Sequence, residues 1–400
     1  MMSLAYLTAS FPYGSGESFI ASEINFHLKR DNKFYLIPLW ARGNLRDIEI
    51  CTNKKIILLE RRLFSFKMIY YFIYFVFSKP MAFISILKLV FKSKFSHILK
   101  NLIIIPKAVY ISNMILEYKI SHLHVHWGST TATAGLIASK ISGVKWSFTC
   151  HRWDIYENNL LKLKSESAEF VRFISEKGKN DAINLGVLEK KAKTIHMGVD
   201  IPSKIKFENY DFVGDTFNII CPANLIVIKG HFYLIEAVKY LIKKHYNIKL
   251  FLAGEGYLRE QLNKQVIKNK LEGIVVFLGQ LSHEELLNYY TDKKIHCVVL
   301  PSLDLGNGLH EGIPVSLMEG MAYGKLVIST KKGSISELLP DTLNLTTDDK
   351  DYFKLANLLS FYIENPLIYK QKCIELHTLI RNEWSISNSM NNFTKALVEY

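Results

Sequence analysis

Cysteine is scarce in this chain. There are five in 400 residues (Cys51, Cys150, Cys221, Cys297 and Cys373), odd in number, widely spaced and without a CxxC pair. That excludes a disulfide framework and offers no zinc-finger spacing, and it fits a reducing, cytoplasmic setting. Long apolar runs are missing as well. The longest, residues 68–77, has about half of the ~20 residues that a spanning helix needs, and residues 1–10 lack the basic flank of a signal peptide. Neither a transmembrane segment nor a leader is expected. Low-complexity tracts and Pro/Ser-rich linkers are absent too, while apolar residues make up 49% and charged residues 22%, the balance of a packed globular protein. At 400 residues the chain exceeds what one hydrophobic core accommodates, so two domains are expected.

Acid is nearly missing from one stretch. Residues 54–107 hold eleven Lys/Arg against the single acid Glu60, and much of the net charge of +13 sits there. No RNP, KH, zinc-finger or helix-turn-helix signature accompanies that charge, so nucleic acid is not an expected partner. Ile84, Leu87, Phe91, Phe95 and Ile98 read as one helical stripe flanked by Lys88, Lys92 and Lys94. Lysines beside an apolar stripe suit the surface of an anionic membrane, which would make the protein peripheral at the inner face of the cytoplasmic membrane. The plainer alternative is a helix covering the first domain, because Ile86, Leu89 and Val90 spill around the other side.

What is present is an alternation of β-branched and aromatic runs with helix-length segments, the pattern of parallel sheets covered by helices. Strands are expected at 4–9, 34–39, 122–127, 146–150, 170–174 and 194–196, and again at 217–221, 248–253, 274–278, 295–300 and 326–329. Helices are expected at 231–244 and 257–268, among others. The boundary is placed in residues 198–215, where Pro202 and Gly214 interrupt a polar stretch. The expected organisation is an acceptor-side domain at 1–200, a donor domain at 201–383, and a terminal helix at about 384–400 packing back on the first domain. Ligands of open parallel sheets bind beyond the carboxyl ends of the strands, so two doubly wound domains facing each other would enclose a site in the cleft.

The strongest local signal is His310-Glu311-Gly312-Ile313-Pro314-Val315-Ser316-Leu317-Met318-Glu319. Pro314 suits the first helical position, which leaves Gly312 and Ile313 at the turn with free backbone N–H groups. Such an end attracts phosphate. Glu311 then lies beside the anion, and Glu319 lies roughly 7–8 Å further along at ~1.5 Å per residue, so one carboxylate reaches a sugar and the other a ribose. Glu319 falls on an otherwise apolar face and needs a ligand or a cation there. The alternative is a surface helix carrying two ordinary acids.

His122, His124 and His126 alternate along one strand, but no Cys or carboxylate stands at a ligand spacing nearby, and no metal is expected. His126 is placed toward the carboxyl end of its strand, on the acceptor side. Gly14 and Gly16 let backbone approach a ligand closely, although their spacing is not GxGxxG; the loop reads as an acceptor or diphosphate loop, with Glu17 a candidate base or acceptor contact.

With these residues in place, the chain resembles the retaining glycosyltransferases of family four, which have the α/β GT-B fold of two Rossmann-like domains and a pair of glutamates with seven residues between them. Glu311 and Glu319 have that spacing. Gly254-Glu255-Gly256 with Leu258-Arg259 resembles the family's Gly-Asp/Glu-Gly-Pro-Leu-Arg turn, and residues 275–279 its Val-x-Phe-Leu-Gly strand. Leu300-Pro301-Ser302, Gly333 and Glu337-Leu338 match further. Thr8-Ala9-Ser10-Phe11-Pro12, Glu17-Ser18-Phe19-Ile20 and His124-Val125-His126-Trp127-Gly128 are similar to members that build bacterial exopolysaccharide, capsule and lipopolysaccharide.

The resemblance implies that Glu311 contacts the donor sugar and Glu319 the ribose. It implies a basic pair on the diphosphate, of which Lys229 stands in place while Asn224 replaces the usual Arg. It also makes His151, in Cys150-His151-Arg152-Trp153-Asp154-Ile155, the histidine of a His-x-x-Asp-Ile motif beside the sugar. Asp154 either orients that histidine or caps the next helix. The expected reaction is transfer of a sugar from a nucleoside diphosphate sugar to a saccharide or polyprenyl-linked acceptor with retention, with no cofactor and no metal required. Two rivals remain: a sugar-nucleotide epimerase on a similar fold, and a non-catalytic saccharide-binding subunit of an assembly complex, which Asn224 keeps open.

Overall fold

The computed structural model describes residues 3–14, 17, 19–29, 34–41, 44–45, 53–59, 65–209, 212, 215–291 and 295–399. Gly16, Ser18, Cys51, Glu60 and Gly214, named above, lie outside them, as do Arg61 and Arg62 of the basic stretch. The chain divides into one unit of Met1–His196 with Met390–Tyr400 and a second of Met197–Ser389.

The first unit is built on seven strands: β1 (Leu4–Thr8), β2 (Phe34–Pro38), β3 (Ile56–Leu58), β4 (His122–His126), β5 (Lys145–Cys150), β6 (Val171–Phe173) and β7 (Ala192–Thr194). They lie side by side in the order β3-β2-β1-β4-β5-β6-β7, every pair parallel. β1, β2 and β4 are buried at every position, as expected of strands covered on both faces, which read as continuous apolar runs. His122, His124 and His126 break that run in β4. Their places in the sheet are made tolerable by hydroxyls across it: Ser147 Oγ lies 2.8 Å from both His122 Nε2 and His124 Nδ1, and Thr149 Oγ1 lies 2.9 Å from His124 Nε2. Burial pushes the pKa of His122 down to about 4 and that of His124 well below the usual range, so both are neutral hydrogen-bonding groups.

The last helix, Ile386–Val398, brings Phe393 onto this unit. Its fully buried ring lies 4.6 Å from His124 and 6.0 Å from Phe170, with the Arg172 guanidinium 5.5 Å from its centroid.

The second unit repeats the plan with β8 (Phe217–Pro222), β9 (Ile248–Ala253), β10 (Val275–Gly279), β11 (Cys297–Leu300), β12 (Leu326–Thr330) and β13 (Thr346–Thr347). The order is β10-β9-β8-β11-β12-β13, again all parallel. Both units thus have the doubly wound order in which the winding direction reverses beside the first strand: between β1 and β4 in one, between β8 and β11 in the other. The loops leaving those strands are where a ligand is expected.

Two expectations are corrected. Residues 84–98 do not form one helix: a helix ends at Val90, residues 91–94 turn, and another runs Phe95–Ile103. Ser93 Oγ donates to the Val90 carbonyl at that turn, so the run of apolar residues continues where the helix does not. Pro314 occupies the N-cap of its helix with extended ψ of 120°, and Val315 is the first helical residue.

Candidate active site

At the switch point of the second unit two loops meet. The loop after β8 runs through Asn224 to a short 3-10 turn, Val227–Lys229; the loop after β11 runs from Pro301 to Pro314. The Leu303 N–H donates to the Ile228 carbonyl at 2.8 Å, and Lys229 Nζ donates to Glu311 Oε2 at 2.5 Å, so main chain and side chains both join them. The side chains of Lys229 and Glu311 are 20% and 16% exposed, which leaves the pair reachable yet shielded enough for charge to act strongly. Ser302 Oγ lies 3.5 Å from the same carboxylate oxygen.

Backbone packing fixes this arrangement. Gly230 has φ +69°, and a Cβ there would stand 1.9 Å from the Pro301 carbonyl oxygen. Gly333, at φ +63°, admits the Glu311 carbonyl to within the same 1.9 Å of where its Cβ would be, and the Ser334 N–H donates to that carbonyl at 3.3 Å. Both positions demand glycine for conformation and for space. The turn at Gly254, Glu255 and Gly256 lies against the β8 loop: Leu225 N–H donates to the Glu255 carbonyl at 2.9 Å, and Leu258 N–H donates to the Leu225 carbonyl at 3.1 Å. The Glu255 side chain is taken by Arg259, 2.8 Å away. Asn224 is exposed at the start of the loop.

Gly312 is different. A Cβ there would meet nothing within 4 Å, and no positive φ requires glycine. It opens, with Ile313, onto the N-terminus of helix Val315–Ala322, whose cap carries no side-chain hydrogen bond. Glu319, on that helix, is only 12% exposed, and its Oε1 lies 2.7 Å from His283 Nε2. The partner that Glu319 was expected to need is therefore in the chain. His283 opens the helix His283–Thr291, thirty-six positions earlier, and no spacing in the sequence links the two.

The first unit has its own joined switch point. Glu17 accepts hydrogen bonds from Ala9 N (3.2 Å), Ser10 N (2.6 Å), Ser10 Oγ (2.9 Å), Phe11 N (2.6 Å) and Trp127 Nε1 (2.5 Å). Its carboxylate clamps the loop after β1 to the loop after β4, and that role occupies both oxygens. Gly14, at φ +71°, lies in the same loop and donates through its N–H to the Asn44 carbonyl at 3.2 Å. His126 is fully buried: Nε2 lies 3.1 Å from Glu23 Oε2, while Glu23 Oε1 accepts from Arg172 at 2.7 Å. Burial alone would raise the Glu23 pKa, but the Arg172 guanidinium and then His126 hold it well below the usual carboxylate range. This triad gave no local sign in the sequence, since Glu23 and Arg172 are 149 residues apart.

His151 lies in the same unit with its ring 4.4 Å from that of Trp127 and 5.5 Å from that of Phe19. Burial pushes its pKa down to about 3, and its Nε2 has no hydrogen-bond partner among the described residues, nor has Nδ1 of His126. Each of these two buried imidazoles thus has one nitrogen free to hydrogen-bond water or a ligand. Asp154 Oδ2 accepts from the His151 N–H at 2.9 Å, the capping arrangement of the next helix, and burial raises its pKa to about 7. Lys164, buried and lowered by burial to about 7, holds the turn after β4 by donating to the Gly128 and Ser129 carbonyls at 2.8 and 2.6 Å. Among the described residues, no three His, Cys, Asp or Glu side chains are grouped to hold a metal.

The two α/β units have the Rossmann-like plan, and the whole chain overlays the crystal structure of Anabaena HepE in complex with UDP and glucose at TM-score 0.73, with 16% identity and 100% of both chains covered. Residues 203–377 match the model of the family described as Glycosyl transferases group 1. That match covers most of the second unit and includes the Lys229–Glu311 pair. The amylovoran biosynthesis glycosyltransferase AmsK of Erwinia amylovora is 29% identical over 223 residues, 54% of each chain. The phosphatidylinositol N-acetylglucosaminyltransferase gpi3 subunit of Schizosaccharomyces pombe is 24% identical over 287 residues, 68% of this chain and 60% of its own length. The chain thus spans little more than half the length of these relatives.

Proposed function

We propose that the protein transfers a sugar from a nucleoside diphosphate sugar to a saccharide or lipid-linked saccharide, with retention of anomeric configuration, in assembly of a bacterial cell-surface polysaccharide. The single observation that carries the reading is the Lys229–Glu311 pair at the β8/β11 switch point, beside the open Gly312 and the start of helix Val315–Ala322. A diphosphate leaving from C1 of the sugar gains charge as the glycosidic C–O bond breaks. A fixed ammonium and unpaired helix N–H groups stabilise that charge without reorganising, and an acceptor hydroxyl oxygen forms the new bond to C1 while its proton passes to the departing diphosphate. In this reading Glu311 meets the sugar, Glu319 the ribose, and Gly254 and Glu255 border the nucleotide. His151, His126, Asp154 and Gly14 serve the sugar and acceptor side, no metal takes part, and retention rests on the family resemblance. AmsK, by its name an amylovoran biosynthesis glycosyltransferase, and HepE, crystallised with UDP and glucose, support the substrate class.

A thermal-shift panel of nucleoside diphosphate sugars tests this. A bound donor at 100 times its Kd adds ~2.7 kcal/mol of stability. Release of nucleoside diphosphate from the responding donor then separates a transferase from a binding subunit. A free epimer formed without acceptor identifies an epimerase instead, and a panel in which no donor stabilises the protein refutes the reading.

A further inference from the structure

Residues 66–103 contain six lysines, Lys67, Lys79, Lys88, Lys92, Lys94 and Lys100, and no acid. They form helices Phe66–Ser78, Pro80–Val90 and Phe95–Ile103 of the first unit. Each helix has one face in the core, through Met68 and Phe75, through Ile86 and Val90, and through His97 and Asn101. The opposite faces are apolar and bare. On the first helix Phe66 is 93% exposed, Tyr70 65%, Tyr74 62% and Phe77 81%, at spacings of four, four and three that put them on one side. The Tyr70 and Tyr74 rings stack at 6.5 Å there. Met81 on the second helix and Phe95 on the third are 76% and 93% exposed.

A soluble surface seldom leaves so many large apolar side chains bare, and where it does they mark a contact. The helices are too short to cross a bilayer: the longest of the three has 13 residues, ~20 Å at ~1.5 Å per residue against ~30 Å of hydrocarbon, and it meets the next at 106°. Lysines without acids, interleaved with Phe and Tyr, complement one surface in particular. Ammonium groups seek anionic headgroups, aromatic rings settle at the headgroup boundary, and apolar tips enter the acyl region.

We propose that this face docks on an anionic lipid bilayer. Lys67, Lys79, Lys88 and Lys92, all exposed, supply the charge, whereas Lys94 and Lys100 are turned to Glu157, Lys94 donating to its carbonyl at 3.3 Å and Lys100 pairing with its carboxylate. None of these residues belongs to the donor site proposed above, so donor binding and vesicle binding fail separately.

The test is co-sedimentation of the full chain with phosphatidylcholine vesicles, with and without phosphatidylglycerol. Binding is expected to the anionic vesicles alone and to weaken as salt rises. Replacing the four exposed lysines together by Gln should weaken it at least ~30-fold, the effect of two to three lysines near the surface. Replacing Phe66, Tyr74 and Phe77 together by Ser should do at least as much, and neither set should alter donor-induced thermal stabilisation. Should the Ser variant not fold, Phe77→Trp gives the readout through extra tryptophan quenching by brominated phosphatidylglycerol. Absent binding at low salt, equal binding to neutral vesicles, no added quenching, or full binding by the lysine variant overturns the proposal. A serine variant that binds vesicles normally but no longer self-associates also overturns it, and assigns the face to a second copy of this chain.

Discussion

Replacing Lys229 by Met removes the ammonium from the β8 loop and leaves Glu311 without its partner, 2.5 Å away in the intact site. Two losses follow, and they differ in size. For folding, a pair 20% and 16% exposed lies between exposed pairs, worth ~0–1 kcal/mol, and fully buried ones, where removing one partner costs ~3–5 kcal/mol. A cost of ~1–2 kcal/mol is expected, which lowers Tm by ~2–8 °C for a domain of this size. For turnover, a fixed charge aimed at a leaving diphosphate is worth ~2.7–4 kcal/mol, a loss of at least ~100-fold. The assay is nucleoside diphosphate release from the responding donor at a temperature where wild type and variant are equally folded. Glu311→Gln and the double variant complete a cycle: if the pair exists in solution, the double variant loses less stability than the two single ones together, by ~1 kcal/mol. A Lys229→Met protein with near-wild-type release refutes the leaving-group role. Strictly additive stability losses refute the pair.

Glu319→Gln should weaken a nucleoside diphosphate as much as the full donor in calorimetry; a change confined to sugar discrimination would remove Glu319 from the ribose. Gly333→Ala should destabilise by at least ~2–3 kcal/mol, because φ is +63° and the new Cβ meets the Glu311 carbonyl, while Gly312→Ala should keep Tm and lose donor affinity. Unchanged melting of the first, or lost folding of the second, would contradict this account. Asp154, raised by burial from 3.8 to about 7, favours its neutral form in the folded state. Its contribution is complete below pH ~4 and is lost as pH rises through ~7, so Asp154→Asn should flatten the fall in stability over that window relative to wild type. A difference between the two proteins that does not vary with pH would show that the carboxyl titrates normally.

Much of this was legible because it is local. Parallel strands buried on both faces announce themselves as apolar runs, and all eleven expected strands match observed ones to within two residues at each end, 248–253 to the residue. Missed strands were β3 and β13, three and two residues long and too short to show a period. Glu311, Pro314 and Glu319 were visible because a turn and one helix hold them together in sequence. His283 beside Glu319, and Arg172 with Glu23 beneath His126, were not, since sheet order rather than spacing brings them together. Glu17 was seen as a candidate contact; four of its five donors come from the conformation of its own loop and the fifth, Trp127, from the loop after β4, and none had a sequence signature. The stripe at 84–98 was misleading because hydrophobic periodicity passes through a turn as readily as through a helix.

The glycines around the candidate site of the second unit include two kinds, and the difference is a map for engineering. At Gly230, Gly254, Gly256 and Gly333 another segment's carbonyl already fills the space a side chain would take, with the oxygen 1.9 to 2.4 Å from where Cβ would stand. A mutagenesis library that varies them would spend its diversity on misfolded proteins. Gly312 has no such neighbour. Together with His283, whose side chain is 55% exposed, it offers positions where new side chains can be tried against altered donors while the frame that aims Lys229 and Glu311 stays intact.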